Sequence, residues 1–319
     1  MDFLDLWLPY ELKFEDNEWR ILFLYLGDHH FNEPFFDETI SRLKIKKGGT
    51  RFISCVSLKK FMEIPIPRTV SPVTAFIFHV SRCGSTLLSQ ALSTEKQHIV
   101  VPEAPLFDQV LRMNEADPSL SKDVINQLLL KVIKWYGQNR NGNYLNYIVK
   151  LDCWHVHFYK QLRQLFPTVP FYFLTREPLA ILKSHIKRRG IQAIPGYINA
   201  KLMGIELKET HFQNFNYYTE LVIANFYTAI IEILNESHPF NYFFDYSSGV
   251  ANMLIDFYTK VLKEKAVPDT VNSRLGYYSK MPDQSFVGDT LVEYQIQHVE
   301  LTKIYSQLLN RITKCQLPK

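Results

Sequence analysis

Four cysteines in 319 residues, Cys55, Cys83, Cys153 and Cys315, are too few and too scattered to staple a fold. None stands in a C-x-x-C pair, which argues against structural disulfides and against a cysteine-ligated zinc. There is no H-E-x-x-H or comparable metal spacing. No run of eighteen apolar residues exists, so no segment is expected to span a membrane. The amino terminus, "MDFLDLWLPYELKFEDNEW", carries acids where a secretory leader carries bases, and it has no small-residue cleavage site. A cytoplasmic protein is the expectation. The net charge of +4 is too small and dispersed to argue for nucleic acid, although its sign suits an anionic ligand.

What is present describes a globular chain, with 46% hydrophobic and 21% charged residues. Its length allows one large α/β domain or two smaller ones. Near the start, "EWRILFLYLGD" predicts a strand, "EPFFDETISRLK" a helix and "KIKKGGT" a basic turn. Pro65, Pro67 and Pro72 then mark a boundary, leaving residues 1–70 as an amino-terminal extension and 71–319 as the main domain. Beyond it, strands and helices alternate. Apolar runs at Thr74 to His79, "HIVVP", "NYIVKLD", "PFYFLTRE" and "NYFFDYSS" predict strands, and helices are expected between them. One of these helices is capped by Ser119 or Ser121, and another begins near Pro178 and ends before Gly190. The final stretch from "GDTLVEYQIQ" onward predicts a helix. Strands that are apolar throughout, each followed by a helix, imply a mostly parallel sheet covered on both faces, with ligands beyond the carboxyl ends of its strands.

The stretch "FIFHVSRCGSTLLSQAL" reads as strand, tight turn and helix, the build of a phosphate-binding loop, yet it lacks the lysine that G-x-x-x-x-G-K-[ST] places after the last glycine. Backbone N–H groups of Ser81 to Thr86 and the helix start near Ser85 would face an anion, with charge from Arg82 and hydroxyls from Ser85 and Thr86. The same residues also read as a capped helix start with nothing bound. A second transition, "FYFLTREPLAILKSHIKRRG", has Arg176 at a strand end and Ser184 eight residues on. Alone, these read equally as a surface ion pair of Arg176 with Glu177 and a helix-face hydroxyl. His79 and His185 read as packing or surface residues.

Together the two transitions resemble the sulfotransferases that use 3'-phosphoadenosine 5'-phosphosulfate (PAPS). The resemblance covers most of residues 74 to 285 and implies a P-loop-type three-layer α/β fold. It implies that Arg82, Cys83, Gly84, Ser85 and Thr86 hold the 5'-phosphosulfate, with Cys83 standing where the family usually has serine. Arg176 and Ser184 would hold the 3'-phosphate, and Ser279 and Lys280 of "YYSKMP" would close over the cofactor. Lys150 matches a lysine that faces the sulfate bridge in tyrosylprotein-type and related enzymes, and Glu103 matches their catalytic glutamate. Asp245 and Tyr246 stand in a weaker match to a Y-E-D-L strand.

Sulfuryl transfer is a loose, in-line displacement in which the protein positions groups and neutralises charge, so side-chain cations suffice and no metal is expected. The implied reaction moves a sulfuryl group to the hydroxyl of a small alcohol, phenol, sterol or lipid and leaves 3',5'-adenosine diphosphate (PAP). Glu103 is the expected base, with Asp152 and His155 as alternatives. Glu103 also suits capping of the helix starting near Pro105. A P-loop kinase of small molecules and an inactive nucleotide-binding regulator are the competing readings.

Overall fold

In the computed structural model of the chain, residues 6–46, 53–140, 142, 144–278, 281–285 and 293–316 are described. The expected α/β class is found. Five strands, β4 (Ala75–His79), β5 (His98–Pro102), β6 (Asn146–Lys150), β7 (Phe171–Thr175) and β8 (Asn241–Asp245), form a parallel sheet in the order β5-β6-β4-β7-β8, flanked by helices. Every residue of β4, β5, β6 and β7 is buried, the pattern of strands covered on both faces.

The chain divides into two compact units, one made of the residues up to Phe76 together with Ser89–Leu151, the other of Ile77–Leu88 and Asp152 onward. In the first unit a three-stranded antiparallel sheet, ordered β1-β2-β3, precedes the parallel strands. β1 (Trp7–Glu15) and β2 (Glu18–Tyr25) pair through Glu15 and Glu18, so the connecting turn is Asp16-Asn17. Both turn residues are left-handed, at φ 54° and 58°. That is the two-residue hairpin geometry whose twist matches the strands, and Asp and Asn tolerate it best after glycine. The strand β1 was not legible in the sequence because Pro9 interrupts it, and the pairing register shifts between Pro9 and Glu11. The strand β3 (Ile53–Ser57) adds to β2. Phe23, Phe61 and Trp135 meet ring to ring at 5.1–5.9 Å, which ties this sheet to the helix Lys122–Tyr136. Ser121, one of the two predicted caps, accepts a hydrogen bond from the Val124 N–H.

In the second unit β7 and β8 pair in parallel, and Phe78, Phe173 and Phe243 stack face to face at 4.8 and 4.9 Å across three strands. The helix Pro178–Lys187 begins with proline at its first position, as expected. Asn214 separates the short helix Glu209–Gln213 from the long, aromatic-rich helix Phe215–Asn235, which it starts by accepting from the Tyr217 N–H. The predicted carboxyl-terminal helix is shorter than expected and spans Val299–Gln316. Residues 293–298 are not helical because the N–H groups of Gln297 and His298 and the Tyr294 hydroxyl all donate to the buried Glu220 carboxylate. No helix among the described residues is long and apolar enough to cross a membrane.

Candidate functional site

The turn that follows β4 is the least ordinary backbone in the second unit. Ser81, Arg82 and Gly84 all have positive φ, at 68°, 50° and 85°. For serine and arginine that conformation costs on the order of 1 kcal/mol each and persists only where neighbours over-determine it. The helix Ser85–Leu92 begins directly after the turn, as expected. At Gly84 a Cβ would lie 2.4 Å from Cε2 of Tyr246, so both the dihedral and the contact require glycine. The Cys83 side chain is wholly buried. A side chain at this position lies beneath the loop and not on its surface.

The second transition packs against the first. From the end of β7, the Arg176 guanidinium donates to the Arg82 carbonyl at 2.9 Å and lies 4.8 Å from the centre of the Tyr246 ring. Arg82 in turn donates to the Arg188 carbonyl. The Arg176 guanidinium thus lies against the loop backbone and adds positive potential there. The Glu177 carboxylate accepts from Leu179 N–H at 2.9 Å and Ala180 N–H at 2.8 Å and so caps its own helix. Ser184 is half-buried in that helix, and its carbonyl accepts from Arg188. Asp245 is buried, accepts from the hydroxyls of Thr175 at 2.7 Å and Tyr305 at 3.1 Å, and so fastens β7 and the carboxyl-terminal helix to β8.

In the first unit, Lys150 and Glu103 stand at the ends of the neighbouring strands β6 and β5. Lys150 pairs with Pro102 in the register, and Glu103 N–H donates to the Lys150 carbonyl at 2.8 Å. The Lys150 ammonium is fully buried and forms an ion pair with the Glu103 carboxylate, whose side chain is 18% exposed. A buried ammonium without such a partner would cost several kcal/mol, so the pair offsets the burial of Lys150 and fixes both side chains in place. Glu103 is itself left-handed, at φ 53°. It does not cap the following helix, Pro105–Leu111, where Ala104 stands at the cap position without a side-chain bond. In the second unit Asp152 and His155 form a capping box at the start of the turn Cys153–Phe158, with Asp152 N–H donating to His155 Nδ1 at 3.2 Å. Ser279 and Lys280 lie outside the described residues.

Four contributors were not legible as such in the sequence. Tyr246 fills the space beside Gly84. His185 and Gln192 both bond to Ser81 Oγ, at 3.2 and 2.7 Å, and His79 Nδ1 accepts the Ser81 N–H at 3.1 Å. The histidines are therefore parts of the loop's support rather than simple packing or surface residues. A cavity of ≈ 440 Å³ also lies along one face of the helix Phe215–Asn235, lined by Tyr217, Leu221, Ala224, Asn225 and Thr228 at helical spacing, with His298 nearby.

No family model and no curated protein matches the chain. Solved structures do. The sulfotransferase domain from the curacin biosynthetic pathway aligns at 17% identity and a TM-score of 0.42, over 79% of this chain and 94% of its own. A sulfotransferase from Alicyclobacillus acidocaldarius aligns at 12% and 0.42, over 77% and 96%, and one from Mycobacterium avium at 10% and 0.43, over 79% of each. TM-scores below 0.5 at such identities leave the chain's function to its own residues.

Proposed function

We propose that the protein is a metal-independent sulfotransferase that uses PAPS and acts on the hydroxyl of a small alcohol, phenol, sterol or lipid. The observation that carries this reading is the loop after β4: three residues of positive φ, a helix beginning at Ser85, and Arg176 bonded to the loop's own backbone at 2.9 Å, with no lysine after the glycine. The donor set suits an anion with two phosphate groups. Of the five N–H donors of a guanidinium, Arg176 commits one to the Arg82 carbonyl here, and Ser184 lies two turns into the adjoining helix.

PAPS would supply the sulfuryl group and leave as PAP. In the proposed reaction the N–H groups of residues 82–86 and the hydroxyls of Ser85 and Thr86 bind the 5'-phosphosulfate, Cys83 contributing backbone alone. Arg176 and Ser184 bind the 3'-phosphate, and Ser279 and Lys280 belong to the same cofactor set. Arg82 and Lys150 neutralise charge on the departing group, and the Glu103 carboxylate takes the acceptor's proton. The division into residues 1–70 as an extension and 71–319 as the transferase domain, and a cytoplasmic setting, belong to the same proposal. The cavity of ≈ 440 Å³ along the aromatic helix is of a size that receives a small apolar molecule. The test is transfer of labelled sulfate from PAPS to a panel of hydroxylated lipids, sterols, phenols and sugars. Label in a phenol or lipid without added metal is expected. Transfer of phosphate from ATP with magnesium, and none of sulfate, would establish the kinase reading instead.

A further inference from the structure

The loop that we read as the phosphosulfate site is held in shape by a short strap of chain, residues Arg188–Gln192, and we infer that Gln192 and His185 are positioning residues that set the loop for its anion before the anion arrives. This rests on the donor-site reading above.

Ser81 and Arg82 occupy left-handed backbone that neither residue prefers. Every polar group of Ser81 toward the loop's interior is engaged. Its N–H donates to His79 Nδ1, and its hydroxyl oxygen accepts from the Gln192 amide at 2.7 Å and contacts His185 Nε2 at 3.2 Å. His185 Nδ1 accepts the Gly190 N–H at 3.2 Å, which leaves the proton of a neutral ring on Nε2 and makes that atom the donor to Ser81. Ser81, His79, His185 and Gln192 are all buried, between 2% and 7% exposed, so these bonds do not compete with water. The strap also takes the Arg82 side chain on the Arg188 carbonyl. One residue on, Arg189 donates to the Phe215 carbonyl at 3.0 Å and to the Thr219 hydroxyl at 2.7 Å, which anchors the strap to the start of the helix Phe215–Asn235.

Gly190 shows how tightly the strap is fitted. A Cβ there would stand 2.6 Å from Gln192 Oε1. The backbone of Gly190 is ordinary, at φ −83°, so alanine is tolerated by the chain but not by the Gln192 amide. Gly190→Ala therefore displaces Gln192 from Ser81 without removing any donor. Preorganised N–H groups bind an anion without first ordering the loop, and losing the anchor transfers that ordering cost to the binding step.

The experiment is calorimetric titration of PAP, without magnesium, into the full chain and into Ser81→Ala, Gln192→Met, their double variant and Gly190→Ala, with amide exchange of residues 82–86 followed in each. Each single variant is expected to weaken PAP about tenfold, the worth of one buried hydrogen bond, and to raise exchange in the loop while amides of β7 and β8 keep their protection. The double variant is expected to lose little more than Ser81→Ala alone, because that change already breaks the Gln192–Ser81 bond along with the His185 contact. Unchanged affinity in Gln192→Met and Gly190→Ala, or a loss near a hundredfold in the double variant, overturns the positioning role while leaving the donor-site reading standing. If the unaltered chain binds no PAP, both fall.

Discussion

In the first unit Lys150 and Glu103 pair with one another at the ends of adjacent strands, whereas in the second the Arg176 guanidinium is bonded to the backbone of the loop after β4, at the Arg82 carbonyl. A cation that is already paired with a carboxylate adds little to the capture of an anion. A guanidinium bonded to a neutral carbonyl, as Arg176 is, keeps its charge for one. Under the proposed function, binding falls to the second unit's loop and the proton-handling step to the first unit's ion pair. The two strand-to-helix turns of the second unit differ in the same sense. Glu177 fills the amino terminus of its own helix, so in the proposed site Arg176 and Ser184 act through side chains, while the turn after β4 presents backbone.

The largest expected effect is that of Glu103→Gln, which keeps an oxygen for Lys150 but removes the base. Turnover should fall about 10²–10⁴-fold with PAP affinity retained, as read by labelled transfer beside calorimetry. Full turnover in this variant would move the base to Asp152 or His155 and dissolve the contrast between the units. Arg176→Ala should do the reverse and weaken PAP about a hundredfold, measured by the same titration.

Acid should separate the units by stability. Burial drops the His157 pKa, in the second unit, to about 4, below the ordinary 6.5, so the unfolded chain takes up a proton that the folded chain refuses. Stability linked to His157 is complete above pH 6.5 and is lost as pH falls toward 4, by about 3 kcal/mol. In the first unit, burial opposes ionisation of Glu33, but bonds from His29 and Thr39 outweigh it and hold the pKa at about 2. Its contribution is intact above pH 4.5 and is lost only as pH falls toward 2, by a similar amount. Amide exchange followed from pH 7 to pH 4 should loosen the second unit around Phe226 before the strands β1 and β2. His157→Phe should remove the first phase. The smallest effect is that of Gly84→Ala, which should lower stability by about 2 kcal/mol through its dihedral and the Tyr246 contact, seen as a lower denaturation midpoint.

Much of this was legible in the sequence because it depends on local chemistry. The unbroken apolar runs at β4, β5, β6 and β7 could only be buried parallel strands, and Pro178, Ser121 and the helix start at Ser85 are placed by rules of capping that act over three residues. What escaped depends on residues distant in the chain. Pro9 hid a strand that exists because β2 supplies its partner, and residues 293–298 read as helix until the Glu220 carboxylate, buried on another element, competes for their N–H groups. The pairing of Lys150 with Glu103 spans 47 positions, and that of Gln192 with Ser81 spans 111. No spacing rule reaches that far, so His185 and Gln192 carried no signal of their role beyond being polar residues near a basic turn.

The most direct test of the central claim is a titration of the unaltered protein with PAP in the absence of divalent metal, set beside ATP with magnesium. If the β4 loop, Arg176 and Ser184 form a site for a nucleotide with phosphate at both its 3' and 5' positions, PAP binds without metal and ATP binds no better. An absence of PAP binding, or tighter binding of ATP with magnesium, would contradict it.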